Sequence, residues 1–407
     1  MISQLIIPKI IDVEQFGLYK TFTLYLAFTS LFHFGYKDGL YIWFCNKRDE
    51  LQSKKESFSS VLFIQQIFIT LLLLLIGLFF DNQIRLMIHL LAFTTLFNIG
   101  YTFFEIYYQS LKIFKPTVYF KFFKEFSFFI AIVTIYALEI SINAFSLIEI
   151  VVAVSFATTL FYWAFSKWNF FRFAEIKQYL EEIKNIYKNG VHLLVGNLTH
   201  QISTNLDKLF ISSFFTSQVF GIYAFGATFF ILANVLLVSI STFLLPYLFD
   251  KKLKESLSYT KLINIPFKVF PIYIIYFFVV IYIVNNYFLE YTDSLKYFAA
   301  LNLAIVMNIS VSIIQTNFLK SLNLEKLYSK INSILLLVLF LLLLIIHFFK
   351  LNLLFVPITV SFSFLLRFII NDFFIKSRLK LKFFNLKSFL WFLLIIILYF
   401  SGLNYIL

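Results

Sequence analysis

The chain has 407 residues, of which 61% are hydrophobic and only 14% charged, with a mean hydropathy of +0.87. Soluble domains run about 45–50% apolar and about 25% charged, so an ordinary soluble domain is excluded. The formal charge of +13 does not point to nucleic acid, because no soluble basic domain is present to bind it; it asks instead how the cations are placed about a membrane.

Residues 1–12 are apolar but too short to span, and they read as a stub or half-length first helix. Nothing there resembles a cleavable leader, since a basic start and a small-residue cleavage site are both missing. Apolar runs of about 20 residues or more, the length a span needs, then fall at 17–44, 58–80, 84–110, 116–138 and 145–166. An amphipathic, charged stretch follows at 167–187, with Ile176, Leu180, Ile183 and Ile186 at helical spacing. It predicts a helix joining two halves, either lying in the membrane interface or serving as a plain charged linker. The apolar runs resume at 188–213, 217–248, 266–288, 294–319, 328–349, 352–374 and 385–406. These runs are about twice as long as barrel strands and lack their alternation. The expectation is an all-α polytopic membrane protein of about 12–13 transmembrane helices.

The connections alternate in sign. One set carries Lys47, Arg48, Lys54 and Lys55, then Lys112 and Lys115, and so on to Lys376, Arg378, Lys380, Lys382 and Lys387. The intervening loops, such as 81–83, 139–146 and 290–293, are short and nearly free of cations. By the positive-inside rule the first set is cytoplasmic and the C-terminus lies outside.

Phe16-Gly17-Leu18-Tyr19 recurs as Phe220-Gly221-Ile222-Tyr223, about half the chain later. This predicts two six-helix repeats of one orientation, with cargo between them. The chain accordingly divides into an N-terminal bundle (1–166), the linker (167–187), a C-terminal bundle (188–375) and a basic loop with an extra C-terminal span (376–407). On this register Ser3 and Gln4 stand where the second repeat has Asp207 and Lys208, so that charged pair is not duplicated.

Polar side chains within spans are costly and face a bundle interior or a wet cavity. Asn98, Thr102, Glu105, Gln109 and Lys112 share one helical line, as do Asn197, Gln201, Thr204 and Lys208, with His200 and Asp207 beside the second. Asn308, Ser312 and Gln315 form a third. For the neutral residues, helix–helix hydrogen bonds of about 0.6 kcal/mol each are the expected role. Glu105, Asp207 and Lys208 are expected in a cavity, with Asp207 partly hydrated near the outer end of its helix. Lys37 and Asp38 lie towards the inner half of the span 17–44, and Arg367 lies within 352–374; snorkelling accounts for Lys37 as well as ligand binding does. Arg85 and His89 read as interfacial. There is no Gly-rich phosphate loop, metal-ligand cluster or HExxH motif, so no cofactor, metal or enzymatic activity is expected. With the single Cys45 an intramolecular disulfide is impossible.

Three stretches carry a family resemblance: IPKIIDVEQFGLYK, FGYKDGLY and NLDKLFISSFFTSQVFGIYAFG. They resemble the multidrug/oligosaccharidyl-lipid/polysaccharide flippase superfamily, and within it the Wzx-type polysaccharide exporters. The resemblance departs at the N-terminus, where most of the first helix is absent, and at the extra C-terminal span. It implies a V-shaped, two-bundle transporter that moves undecaprenyl-diphosphate-linked oligosaccharide, an O-antigen or capsule repeat unit, from the cytoplasmic to the outer leaflet of the inner membrane. Such cargo requires cations for its diphosphate, for which Lys208, Lys37 and Arg367 are candidates, and polar groups for its sugars. Asn197, His200, Gln201, Asn308 and Gln315 are candidates for the sugars. Coupling to H+ or Na+ through Asp207 or Glu105 is a further expectation, as is contact with polysaccharide assembly proteins. A drug/cation antiporter, a lipid II flippase and a polysaccharide polymerase remain alternatives.

Overall fold

A computed structural model describes residues 3–29, 31–111, 113–166, 176–249, 259–302, 304–322 and 324–381. All regular structure among these residues is helical. Helices α1 (Ser3–Ile10) and α2 (Val13–Thr29) are followed by α3 (Tyr36–Asn46), α4 (Arg48–Gly77), α5 (Asn82–Ser110), α6 (Phe114–Ala137) and α7 (Ala144–Ser166). Next come α8 (Leu180–Phe214), α9 (Ser217–Phe249), α10 (Tyr259–Ile263) and α11 (Ile265–Tyr287). The series closes with α12 (Ser294–Asn302), α13 (Ala304–Ile309), a π-helical segment Ser310–Gln315, α14 (Thr316–Ser321), α15 (Glu325–Phe348) and α16 (Phe355–Leu379). Among the described residues seven helices are long and apolar enough to cross a membrane, and an eighth counts if the bent pair 294–302 and 304–319 is one span. The protein is therefore an all-α polytopic membrane protein. The span expected at 385–406 lies outside the described residues.

Two expected spans are not simple helices. The run 17–44 breaks after Thr29 at a turn through Leu31–Gly35, where Phe34 and Gly35 take positive φ of 46° and 85°. Glycine tolerates such backbone and lets chains approach closely. Both properties are used, because a Cβ on Gly35 would lie 2.6 Å from the backbone carbon of Gly190, and one on Gly190 would strike the Gly35 carbonyl. The second irregular run, 294–319, bends by 46° and then widens into the π segment, where the Thr316 hydroxyl donates to the Val311 carbonyl five residues back (2.8 Å).

Helix boundaries recur along the chain. α1 ends at Ile10 and α8 at Phe214, and α2 begins at Val13 and α9 at Ser217, each 204 residues apart. From α6 onward the interval is 211: α6 and α7 begin at Phe114 and Ala144, and α15 and α16 at Glu325 and Phe355.

The chain forms two compact units, Met1–Gln201 and Ile202–Leu407. In the first unit the core is aromatic. Tyr36, Phe44, Phe58, Phe103, Phe104, Tyr107 and Tyr162 are buried together, with Phe44 edge-on to Phe103 at 6.0 Å. Ile183 and Ile186 of the amphipathic stretch join this core and Ile176 packs against it, whereas Leu180 is exposed. A 3₁₀ turn at Ile176–Tyr179 leads straight into α8. Glu182 accepts from Lys54 at 2.8 Å and the Tyr187 hydroxyl donates to Gln65 at 2.9 Å. In the second unit Ile305, Ile309, Ile313, Phe318 and Ile375 pack about Tyr259. Outward-facing residues such as Phe68, Leu71 and Leu75 are more than half exposed, as lipid-facing side chains are in a membrane helix.

Candidate functional site

In the first unit the polar line on α5 is met by partners from neighbouring helices. Lys124 of α6 donates to Asn98 at 2.7 Å and lies 5.9 Å from the Tyr101 ring. Lys20 of α2 donates to Gln4 of α1 at 2.6 Å. Glu105 accepts from Gln109, one turn along its own helix, at 3.3 Å. At the glycine break, the backbone N–H of Gly35 donates to His33 Nδ1 at 3.1 Å, and His33 Nε2 is 3.9 Å from Asp38. Helix carbonyls freed there are taken by side chains from elsewhere: Gln65 donates to Phe32 O (3.2 Å) and Gln201 to Ala27 O (3.3 Å). Lys37 is half-buried in the first turn of α3. The backbones of Asn197 and His200 belong to α8, but their side chains lie outside the described residues.

The charged pair of the second unit is enclosed. Asp207 is buried and accepts from the Tyr223 hydroxyl at 2.5 Å, so the expected partial hydration is not what the structure shows. Lys208 turns back to its own helix, 3.1 Å from Thr204 O and 3.5 Å from Asp207. Adjacent residues diverge by about 100° on a helix, and the flexible lysine stem closes that gap. Tyr223 stands in the Gly-x-Tyr pattern, and Tyr19 of the matching Phe-Gly-Leu-Tyr is likewise buried.

A second polar set gathers about the π segment. Asn308 donates to Asn234 at 2.9 Å, and Ser312 donates to Asn308 at 3.1 Å. Gln315 donates to Phe368 O at 3.0 Å and lies 3.4 Å from the Tyr259 hydroxyl. That hydroxyl donates to Asp372 at 2.8 Å, and Asp372 pairs with Lys376 at 2.7 Å. Arg367 and Asn371 sit on the same buried face of α16. Sequence reasoning missed Tyr259, Asn371, Asp372, Lys20 and Lys124, and read Lys376, which is buried in the last turn of α16, only as a loop cation. The four-residue spacing of Ser363, Arg367 and Asn371 was a visible signal, whereas Tyr259 and Asp372 are 113 residues apart and nothing local joins them.

Arg85 and His89 serve the turn between α4 and α5. Arg85 donates to Phe80 O at 3.2 Å, and His89 Nε2 lies 3.2 Å from Leu74 O. Among the described residues no group of three or more His, Cys, Asp or Glu is placed to hold a metal.

Comparison with curated proteins finds no match, and neither does comparison with solved structures. A family model described as polysaccharide biosynthesis protein matches residues 1–252, which include α1 through α9. With its polytopic helices and its resemblance to the Wzx-type exporters, the chain belongs to the polysaccharide biosynthesis protein family and is a flippase-like membrane transporter.

Proposed function

We propose that the protein carries an undecaprenyl-diphosphate-linked oligosaccharide, an O-antigen or capsule repeat unit, from the cytoplasmic to the outer leaflet of the inner membrane. Twelve or thirteen spans form two six-helix bundles in a V, and the cargo crosses by alternating access between them. The observation that carries this reading is a set of charged side chains held inside helices of a chain from a polysaccharide biosynthesis family. Charge within a span is costly and marks a transport path. Lys37 and Lys208 meet the diphosphate, and Asn197, His200, Gln201 and Asn308 meet the sugars, while Gln315 is fully buried and stands apart from that role. Asp207 and Glu105 couple transport to H+ or Na+. Arg367 is enclosed within its own unit and stands apart from the diphosphate role.

The test is reconstitution into proteoliposomes carrying a lipid-linked oligosaccharide on one leaflet, with arrival on the other read by a lectin or glycosidase. Protein-dependent arrival is expected, reduced in Lys208→Gln. Movement of a cationic dye with no movement of the glycolipid would overturn the reading in favour of a drug antiporter.

A further inference from the structure

We infer that the second unit holds a small inorganic anion, of the halide class, with its water, between Arg367, Asn371 and Gln315. Arg367 is 6% exposed, and Asn371 and Gln315 are fully buried. Four polar atoms of these residues have no hydrogen-bond partner among the described residues: Arg367 Nε, both amide atoms of Asn371, and Gln315 Oε1. The three side chains are brought together by packing. Arg367 and Asn371 lie one turn apart on one face of α16, and Gln315 reaches that face by donating to Phe368 O.

The charge count decides the sign of the ligand. Asp372 is five residues beyond Arg367, which turns it about 140° around the helix, and it is already held by Lys376 and the Tyr259 hydroxyl. Arg367 has no ion-pair partner among the described residues; its guanidinium carbon lies over the Phe364 ring at 5.7 Å, and Tyr328, a neutral phenol, is within electrostatic reach. A buried cation without a counter-charge is strongly unfavourable inside a membrane protein, so a cation is excluded and an anion is favoured. Burial sets the size, because fully enclosed amides leave no room for a sugar or a diphosphate. The two amide oxygens cannot bind an anion directly, but water held beside it donates to both. The scaffold itself does not need this charge. α7 is the counterpart of α16 in the repeat and has no Lys, Arg or Asn along its length.

The experiment is thermal unfolding of the full-length protein in detergent, titrated with chloride against gluconate at constant ionic strength, with inorganic phosphate as a separate arm. Chloride is expected to raise Tm in a saturable way in the wild type and in Arg85→Gln, and to do so no longer in Arg367→Gln. Asn371→Asp places a carboxylate one turn from Arg367, so this variant is expected to be as stable without chloride as the wild type is with it, and to ignore added chloride. Arg367→Lys keeps the charge and is expected to keep a weaker chloride response, which serves if Arg367→Gln does not fold. A wild type indifferent to chloride, a response that survives in Asn371→Asp, or Arg367-dependent stabilisation by phosphate alone would each overturn the proposal.

Discussion

Tyr223 and Asp207 lean on each other in a space that excludes water, and their substitutions should differ in an informative way. Asp207→Asn keeps an acceptor for the tyrosine hydroxyl, whereas Tyr223→Phe strips the buried carboxylate of its short donor. A hydrogen bond to a charged group contributes about 1.5–3 kcal/mol. Tyr223→Phe is therefore expected to lower stability by about that amount in thermal or denaturant unfolding in micelles, and Asp207→Asn by less. In the reconstituted flipping assay Asp207→Asn is expected to abolish the dependence on an ion gradient, alone or together with Glu105→Gln. If both substitutions left that dependence intact, the coupling role would be lost. Polar residues inside spans were legible in the sequence because each is expensive in lipid. Their partners were not, since a hydroxyl 16 residues away meets the carboxylate only through the packing of α9 on α8.

Among the elements, the crossing of α3 over α8 depends on backbone contact at glycine. Gly190→Ala would drive a methyl into the Gly35 carbonyl, and Gly39→Ala would do the same at the Ile186 carbonyl. Overpacking of this kind costs about 1–3 kcal/mol, and here the obstacle is backbone rather than a side chain that can turn away. Either variant is expected to lower Tm, while Gly226→Ala, on a different pair of helices, reports separately on α9. The break between α2 and α3 could be suspected from FGYKDG, but hydropathy reads 17–44 as one continuous run because apolar content continues through the turn. The same limit applies at 294–319, where composition sees one span and hydrogen bonding resolves a bend and a π segment. By contrast α6 and α15 start and stop within a few residues of the expected runs, because their ends coincide with charge and turn residues that are local signals.

At the scale of the whole molecule, the sign of the loops makes a prediction that the lone Cys45 renders simple to check. In a Cys45→Ser background, Asn82→Cys and Asn352→Cys should react with a membrane-impermeant maleimide from outside intact cells, and Gln178→Cys should react only after permeabilisation. One inverted result would shift the topology by a span. Composition and hydropathy determined by themselves that this is a polytopic helical membrane protein and where most of its long apolar helices run. These are properties of short windows of chain, governed by the cost of taking charge and unpaired backbone into lipid. Only the tertiary structure decided which polar groups have partners and which are enclosed without one. Asp207 and Arg367 read alike in sequence as charges within spans, yet the carboxylate is met by Tyr223, whereas Nε of the guanidinium has no hydrogen-bond partner among the described residues. That difference comes from residues far apart in the chain, brought together by packing.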